Sequence, residues 1–115
     1  MSVFSSAQGT RKAIRQKITS STAVTLFTGN NTLTYIESVN VAEINGGADT
    51  IDLYINDGSS DFYICKNEAI AANTRTLFKD IPFDIASGDT LKFKAGTGTA
   101  IDVIATLVQQ APQGR

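Results

Sequence analysis

Few side chains in this 115-residue sequence could carry out chemistry. Histidine is absent, so the commonest general base and the commonest metal ligand are both missing. Cys65 is the only cysteine, which leaves no partner for an intrachain disulfide and no thiolate cluster for zinc. Its neighbours Tyr63, Ile64 and Lys66 have the pattern of a strand, so we expect Cys65 to be a small buried apolar residue. The composition predicts that the protein is not an enzyme and has no cofactor.

One acidic loop has residues that suit a metal ion. Asp57 and Asp61 lie four residues apart around Gly58, and hard oxygen ligands on a glycine turn suit calcium. The loop lacks the repeated acidic spacing and the terminal Glu of an EF-hand. A hairpin turn set by the Asp-Gly dipeptide is therefore the favoured interpretation, and no metal site is predicted.

Two further patterns resemble catalytic or phosphate-binding motifs. The pairs Asp80/Asp84 and Asp49/Asp52 could act as acid and base in glycoside hydrolysis, but solvated turn and strand-edge charges explain them more simply. The run Gly96–Thr99 is followed by no lysine and opens no helix, unlike a phosphate-binding loop. We interpret it as a turn.

Three tyrosines could form a platform on a sheet face for sugar rings or bases: Tyr35, Tyr54 and Tyr63. Tyrosine is also a common strand residue whose hydroxyl reaches water, and this second interpretation is favoured. The platform stays open as the site of a carbohydrate-binding module.

Charge is distributed unevenly along the chain. Residues 1–20 carry four basic and no acidic side chains, whereas the remainder carries six basic and all 11 acidic ones. Because the body is acidic, nucleic acid is not expected as a partner. Residues 1–20 also lack an apolar stretch long enough for a signal peptide or a membrane span. We therefore expect that the protein has no membrane partner and that it is synthesised in a reducing cytosol.

The basic segment contains apolar anchors as well, which a purely solvating tail does not need: Val3, Phe4, Ile14 and Ile18. We expect it to be an extended or partly helical arm that lies across a neighbouring copy or a larger assembly, although a disordered tail, a short helix or an added strand are alternatives. The residues predicted to contact the partner are Phe4, Arg11, Lys12, Arg15 and Lys17.

From residue 22 onward, apolar positions repeat with a period of two, which is typical of strands. Alternation within Thr50–Asn56, Thr90–Ala95 and Ala100–Val108 places one apolar face inward. In the last of these, Ile104 and Val108 make the outer face partly apolar too, so we expect a neighbour to cover part of it. Asn31–Asn45 changes phase, which predicts a bulge or a bend near Glu37–Ser38.

About eight short strands separated by turns rich in Gly, Asn, Asp and Ser predict an all-β fold. The expected architecture is a single antiparallel β-sandwich of jelly-roll or Greek-key type with an extended N-terminal arm. We expect an arm over residues 1–21, a sandwich over 22–108 and a tail over 109–115. The predicted strands are Val24–Phe27, Asn31–Asn45, Thr50–Asn56, Asp61–Lys66, Thr74–Lys79, Ile81–Ile85, Thr90–Ala95 and Ala100–Val108.

Several of these runs resemble small β-sandwich virion proteins of tailed bacteriophages. In that group a strand leads into a step of valine, asparagine and a small residue, and a later Ala-Asn-Thr segment precedes a Gly-Asp turn and the last hairpin. The matching runs are Tyr35–Ala42, Ile51–Gly58, Tyr63–Lys66, Ile70–Thr74 and Ala86–Phe93.

The resemblance implies a structural protein of a phage particle. Members of this group of phage proteins decorate capsids as cement proteins or belong to necks, tails and fibres. It implies, for this chain, a capsid decoration protein that binds and stabilises the shell as a homo-oligomer, with a trimer favoured, and that contacts the major capsid protein or other virion proteins. A tail, neck or fibre component is the alternative, and a carbohydrate-binding module a further one. The expected location is the virion, after synthesis in the bacterial cytoplasm.

Overall fold

Alternation of apolar and polar residues organises the chain into strands throughout the part that the structure describes. This structure is a computed structural model, and it describes residues 10–79, 81, 84–98 and 100–110. Its strands are β1 (Thr10–Ile18), β2 (Val24–Thr28), β3 (Leu33–Glu43), β4 (Asp49–Asn56), β5 (Asp61–Ile70), β6 (Arg75–Lys79), β7 (Thr90–Ala95) and β8 (Ile101–Gln110).

The strands form two four-stranded antiparallel sheets. The first sheet has the order β1-β8-β3-β6 and the second the order β2-β7-β4-β5. One long hairpin rolled into two layers has the same strand pairing as this chain: β1–β8, β2–β7, β3–β6 and β4–β5. The predicted all-β sandwich of jelly-roll or Greek-key type is confirmed.

The inner faces of the two sheets enclose one apolar core. The residues that alternation placed inward are buried: Ile51, Leu53, Leu91, Phe93, Ala95, Ile101, Val103, Ala105 and Leu107. Ile55 is half-buried and packs against the same core. From β3, Ile36, Val39 and Val41 are at most 1% exposed. Removing this apolar surface from water is the main source of stability for such a fold.

A bulge lets β3 keep its apolar residues inward along its whole length. Ile36 pairs with Leu107 and Ser38 with Thr106, so Glu37 is the extra residue on β3. The extra residue resets the alternation, which places both Ile36 and Val39 in the core. The bulge predicted near Glu37–Ser38 is confirmed.

The first strand revises the description of the N-terminal segment. Thr10–Ile18 is extended, as expected of the arm, but it pairs with β8 over its whole length and forms the edge of the first sheet. Ile18 is 2% exposed in the core and Ile14 packs against it. The alternative of an added strand is therefore the one the structure shows for these residues, and pairing with β8 packs the inward isoleucines against the core.

Two boundaries also differ from the predictions. Ile81–Ile85 is not a strand in its described residues: Asp84 forms an isolated bridge with Tyr35, while Ile81 and Ile85 are buried in the core. Ile81 and Ile85 therefore anchor a connection to the core and do not belong to a paired strand. At the other end, β8 continues through Gln110, since β1 and β3 both pair with residues of the expected tail.

The connection between β1 and β2 lies in close backbone contact with the connection between β7 and β8. Gly98 is buried and has a φ of +78°, and a Cβ built on it would lie 2.2 Å from the backbone carbon of Ser20. Only glycine fits both the left-handed conformation and the contact.

We expect Gly98→Ala to lower the free energy of unfolding by about 3 kcal/mol or more, because left-handed strain adds to a backbone clash. Gly58 is the matched control: it has a φ of +100°, but nothing lies within 4 Å of its Cβ position. Gly58→Ala should cost only about 1 kcal/mol. Urea denaturation measures both, and equal losses would show that the contact with Ser20 is unimportant.

Candidate interaction surfaces

The outer face of the first sheet carries most of the basic residues of its strands. Register places Arg15, Ile104, Asn40 and Leu77 in one row across β1, β8, β3 and β6. We call this surface the cationic face. Its members are Ala13, Arg15, Lys17, Ser38, Asn40, Ala42, Arg75, Leu77, Lys79, Asp102, Ile104 and Thr106.

Two ion pairs hold cations of β1 against neighbouring strands. The Arg11 guanidinium donates from Nε to Glu37 Oε1 at 2.9 Å and from Nη2 to Oε2 at 2.8 Å. These hydrogen bonds lower the pKa of Glu37 and raise that of Arg11. Lys17 Nζ lies 2.9 Å from Asp102 Oδ1. Both pairs are exposed, so they orient side chains more than they stabilise the fold.

Other cations of this region have no carboxylate partner among the described residues. On the cationic face these are Arg15 on β1 and Lys79 at the end of β6, both exposed. Lys12 is also exposed on β1, but its register position opposite the buried Leu107 lies on the other side of the strand. Arg75 Nη1 donates to Asn40 Oδ1 at 3.0 Å, which positions it without neutralising it. The cationic face therefore keeps a net positive charge.

The apolar residues on the outer side of β8 have different environments. Val108 is 4% exposed and lies between Arg11 and Tyr35 on the flanking strands, so neighbours within the chain cover it as expected. Ile104 remains 41% exposed and Leu77 45%. These two lie two strands apart on the cationic face and are available to a partner.

A buried carboxylate organises the turns at one end of the sandwich. Glu43 is 1% exposed. Its Oε2 accepts from the backbone N–H of Asn45 at 3.0 Å, and its Oε1 accepts from those of Gly46 at 3.0 Å and Asn73 at 2.9 Å. Glu43 thereby ties the β3–β4 turn to the β5–β6 turn.

A second buried carboxylate does the same for the neighbouring loop. Asp49 Oδ1 accepts from the N–H groups of Thr50 and Thr97, and Oδ2 from that of Gly98, each at 2.8 Å. The described part of the Gly-Thr-Gly-Thr run, Gly96–Gly98, is thus held by a carboxylate. Asp52 faces outward and accepts from Asn67 N–H, so Asp49 and Asp52 lie on opposite sides of the sheet and form no catalytic pair.

The two ends of the sandwich differ in charge. The four connections at the end held by Glu43 and Asp49 contain no charged residue: 19–23, 44–48, 71–74 and 96–100. The opposite end contains Asp57, Asp84 and Asp89 in its connections. Sequence reasoning missed this polarity, although acids beside Gly- and Asn-rich turns were a visible sign of the clamps.

The three tyrosines do not form one platform. Tyr35 belongs to the first sheet, whereas Tyr54 and Tyr63 are opposite each other in the second. Tyr54 is 6% exposed, its ring lies 5.0 Å from that of Tyr63, and burial raises its pKa. Lys66 Nζ lies 4.5 Å above the Tyr63 ring, on the surface of which a sugar would stack. Only Tyr63 is well exposed.

The acidic loop has the geometry of a hairpin turn. Asp57 Oδ1 accepts from the N–H groups of Ser59 at 2.9 Å and Ser60 at 2.8 Å, which lowers its pKa. Asp61 Oδ1 accepts from Asn56 Nδ2 at 2.7 Å. The described residues contain no group of three His, Cys, Asp or Glu side chains placed to hold a metal ion.

The remaining candidate residues divide between the core and the undescribed part of the chain. Cys65 packs against the core, as expected, but it is half-buried and not fully buried, and burial raises the pKa of its thiol. Phe4 and Asp80 lie outside the described residues. Within the described ranges, no helix has the length and apolarity to cross a membrane.

Comparisons with known proteins found structural similarity only. No protein-family model matches the chain, and no curated protein is significantly similar to it in sequence. A pentameric capsid protein isolated from metagenomic phage sequences is 14% identical with a TM-score of 0.46, over 86% of this chain and 62% of that one. The chain thus spans less than two thirds of that protein's length.

Two other solved structures are similar over nearly the whole chain. A protein of the disulfide-linked pili that form Bacillus endospore appendages is 10% identical with a TM-score of 0.49, covering 93% of this chain and 95% of that one. The coat protein of tobacco streak virus is 10% identical with a TM-score of 0.42, covering 91% and 90%. Such low identities and TM-scores assign no function to this chain.

We expect Glu43→Ala to lower the free energy of unfolding by about 2–4 kcal/mol, because three backbone N–H groups lose a buried acceptor. Glu68→Ala is the matched control, since Glu68 is exposed on β5, and should change stability by no more than about 0.5 kcal/mol. Thermal and urea denaturation of both variants provide the measurement. A Glu43 variant as stable as the control would show that the turns hold without the clamp.

The Cys65 thiol should react slowly in the folded protein, because burial raises its pKa and lowers the thiolate fraction at pH 8. We expect labelling by Ellman's reagent at least about tenfold slower than for the same protein in guanidinium chloride. Equal rates in the two states would contradict the burial of this residue.

Proposed function

We propose that this protein is a non-enzymatic structural protein of a virion, and specifically a bacteriophage capsid decoration protein that binds the shell as a homo-oligomer. The observation that carries the proposal is the rolled eight-stranded sandwich with a filled core, whose buried carboxylates are engaged by turns. Its outer surfaces remain for contacts with other molecules.

The strand topology narrows the function to a few classes. Double-sheet jelly rolls with this pairing occur in viral capsids, lectins and cupins. A cupin holds its metal with histidines, which this sequence lacks. A lectin platform would need the three tyrosines together, but Tyr35 lies on a different sheet from Tyr54 and Tyr63, and Tyr54 is buried. The capsid class is the one that the surfaces support, and fold-level analogy is part of this argument.

The resemblance of five sequence runs to phage sandwich proteins supports the phage assignment. The phage capsid protein described above belongs to the same class, but the proposal rests on this chain's own topology and residues. The partners are further copies of the chain, in the trimer expected from the sequence, and the major capsid protein. The protein acts in the virion after synthesis in the bacterial cytoplasm, and nucleic acid and membranes are not its partners.

The structure changes which basic residues are available to such a partner. Arg11 and Lys17 are engaged in ion pairs within the chain, whereas Lys12 and Arg15 are exposed without one among the described residues. Deleting residues 1–20 would remove β1 and the buried Ile18, so loss of binding on deletion would not distinguish contact from unfolding. Substitution of exposed side chains is the appropriate test.

We expect the double variant Lys12→Glu, Arg15→Glu to fold normally and to bind shells lacking the protein at least about tenfold more weakly, since two exposed cations are reversed. Lys94→Glu on the second sheet is the matched control and should bind normally. Co-sedimentation with purified shells measures binding, and circular dichroism checks the fold. Unchanged binding by the double variant would exclude Lys12 and Arg15 as contacts with the shell.

Quantitative mass spectrometry of purified particles tests the class itself. We expect many copies per particle, and particles lacking the protein to release their genome at a lower temperature. Absence of the protein from particles would contradict the proposal. Binding to a glycan array that is lost in Tyr63→Ala would instead support a carbohydrate-binding module.

A further inference from the structure

The cationic face has an apolar centre with unneutralised charge around it. Ile104 and Leu77 are exposed there, with Asn40 between them in the same row. Arg15 and Arg75 lie on the two edge strands of the sheet, and neither has a carboxylate partner in the described chain. A complementary surface would present an apolar side chain beside carboxylates.

The acidic end of the sandwich has that composition. Leu33 is 48% exposed at the start of β3, and it lines a shallow cavity together with Asp84. Asp84 is exposed, and neither it nor Asp89 has a side-chain partner among the described contacts. The backbone carbonyl of Asp89 accepts a hydrogen bond from Gly29 N–H at 2.7 Å, and this bond fixes the position of Asp89.

We propose that the acidic end of one copy, around Leu33 and Asp84, docks on the cationic face of a second copy, around Ile104 and Leu77. This inference rests on the proposed function in so far as it assumes assembly of several copies. Charge complementarity between two different surfaces of one chain makes the contact heterologous, so repetition produces a closed ring or an open chain of copies.

The apolar centre distinguishes a protein occupant from nucleic acid. A phosphate backbone would pair with the cations but would place Ile104 and Leu77 against charged, hydrated groups. The leucine of the acidic end covers this apolar surface while its carboxylates approach the cations. Two cationic faces would repel each other, which excludes a symmetric contact between like surfaces.

The test uses sedimentation velocity of the full chain over a range of concentrations at low salt. We expect the wild type to form oligomers that dissociate as salt increases, because the contact is charged. Ile104→Asp and Leu77→Asp change exposed side chains and should each weaken association at least tenfold. Phe62→Asp is the matched control, since Phe62 is 57% exposed on β5, and it should associate as the wild type does.

Charge reversal identifies which surfaces meet. Arg15→Glu alters only the cationic face and Asp84→Lys only the acidic end, and each variant alone should associate at least tenfold more weakly. In an equimolar mixture the intact acidic end of one variant meets the intact cationic face of the other, and the two reversed surfaces also attract each other, so the mixture should associate about as well as the wild type does. The double variant Arg15→Glu, Asp84→Lys should regain association, because the reversed charges again attract.

Several results would overturn this inference. They are a monomeric wild type at millimolar concentration, association unchanged in Ile104→Asp and Leu77→Asp, or a mixture of the reversal variants that stays monomeric. Circular dichroism of every variant shows that it is folded. A monomeric protein that is nevertheless abundant in purified particles would leave the proposed function standing and remove only the contact between copies.

Discussion

The pairing of β1 with β8 is the interaction on which the rest of this molecule depends. Nine residue pairs, from Thr10↔Gln109 to Ile18↔Ile101, attach the basic N-terminal strand to the sandwich. The register turns Ile14 and Ile18 toward the core and Arg15 and Lys17 toward solvent. One ladder therefore completes the core and fixes the charges of the outer face, so the basic segment is a part of the rigid body in the described residues.

The turns at one end of the sandwich are held by a different interaction. Glu43 and Asp49 each accept hydrogen bonds from three backbone N–H groups, and all of these except that of Thr50 belong to turns without a charged residue. Buried acceptors of this kind satisfy polar backbone that would otherwise be costly to bury. The acidic side chains at one end are thus buried and hydrogen-bonded to the backbone, whereas those at the other end face solvent. This division gives a chain with little net charge two surfaces of opposite sign.

Much of the fold follows from alternation, because burial on one face leaves a period of two in the sequence. The inward residues of Thr50–Asn56 and the bulge at Glu37 were predictable for this reason. An edge strand is harder to recognise: in β1 only Ile14 and Ile18 turn inward as apolar residues, and most of the outer positions are cationic. Ile81–Ile85 has strand-like spacing, but its isoleucines anchor a loop in the core.

The candidate site was less predictable, because it depends on which strands become neighbours. Ile104 and Leu77 are 27 positions apart in the sequence and are brought to one surface by the order β8-β3-β6. The same order separates Tyr35 from Tyr54 and Tyr63, which a single sheet would have kept together. Glu43 accepts hydrogen bonds from backbone N–H groups, so no pattern of side chains in the sequence indicates that it connects two turns.

Hydrogen–deuterium exchange of the β1 amides, resolved by NMR, tests the central claim that the basic segment is an integral strand. Roughly half of the amides in Thr10–Ile18 point toward β8 in an antiparallel edge strand, and they should be protected to nearly the same extent as those of β8. Exchange of all of these amides at the rate of an unfolded peptide would contradict the account, since the cations would then belong to a loose arm and not to a fixed surface.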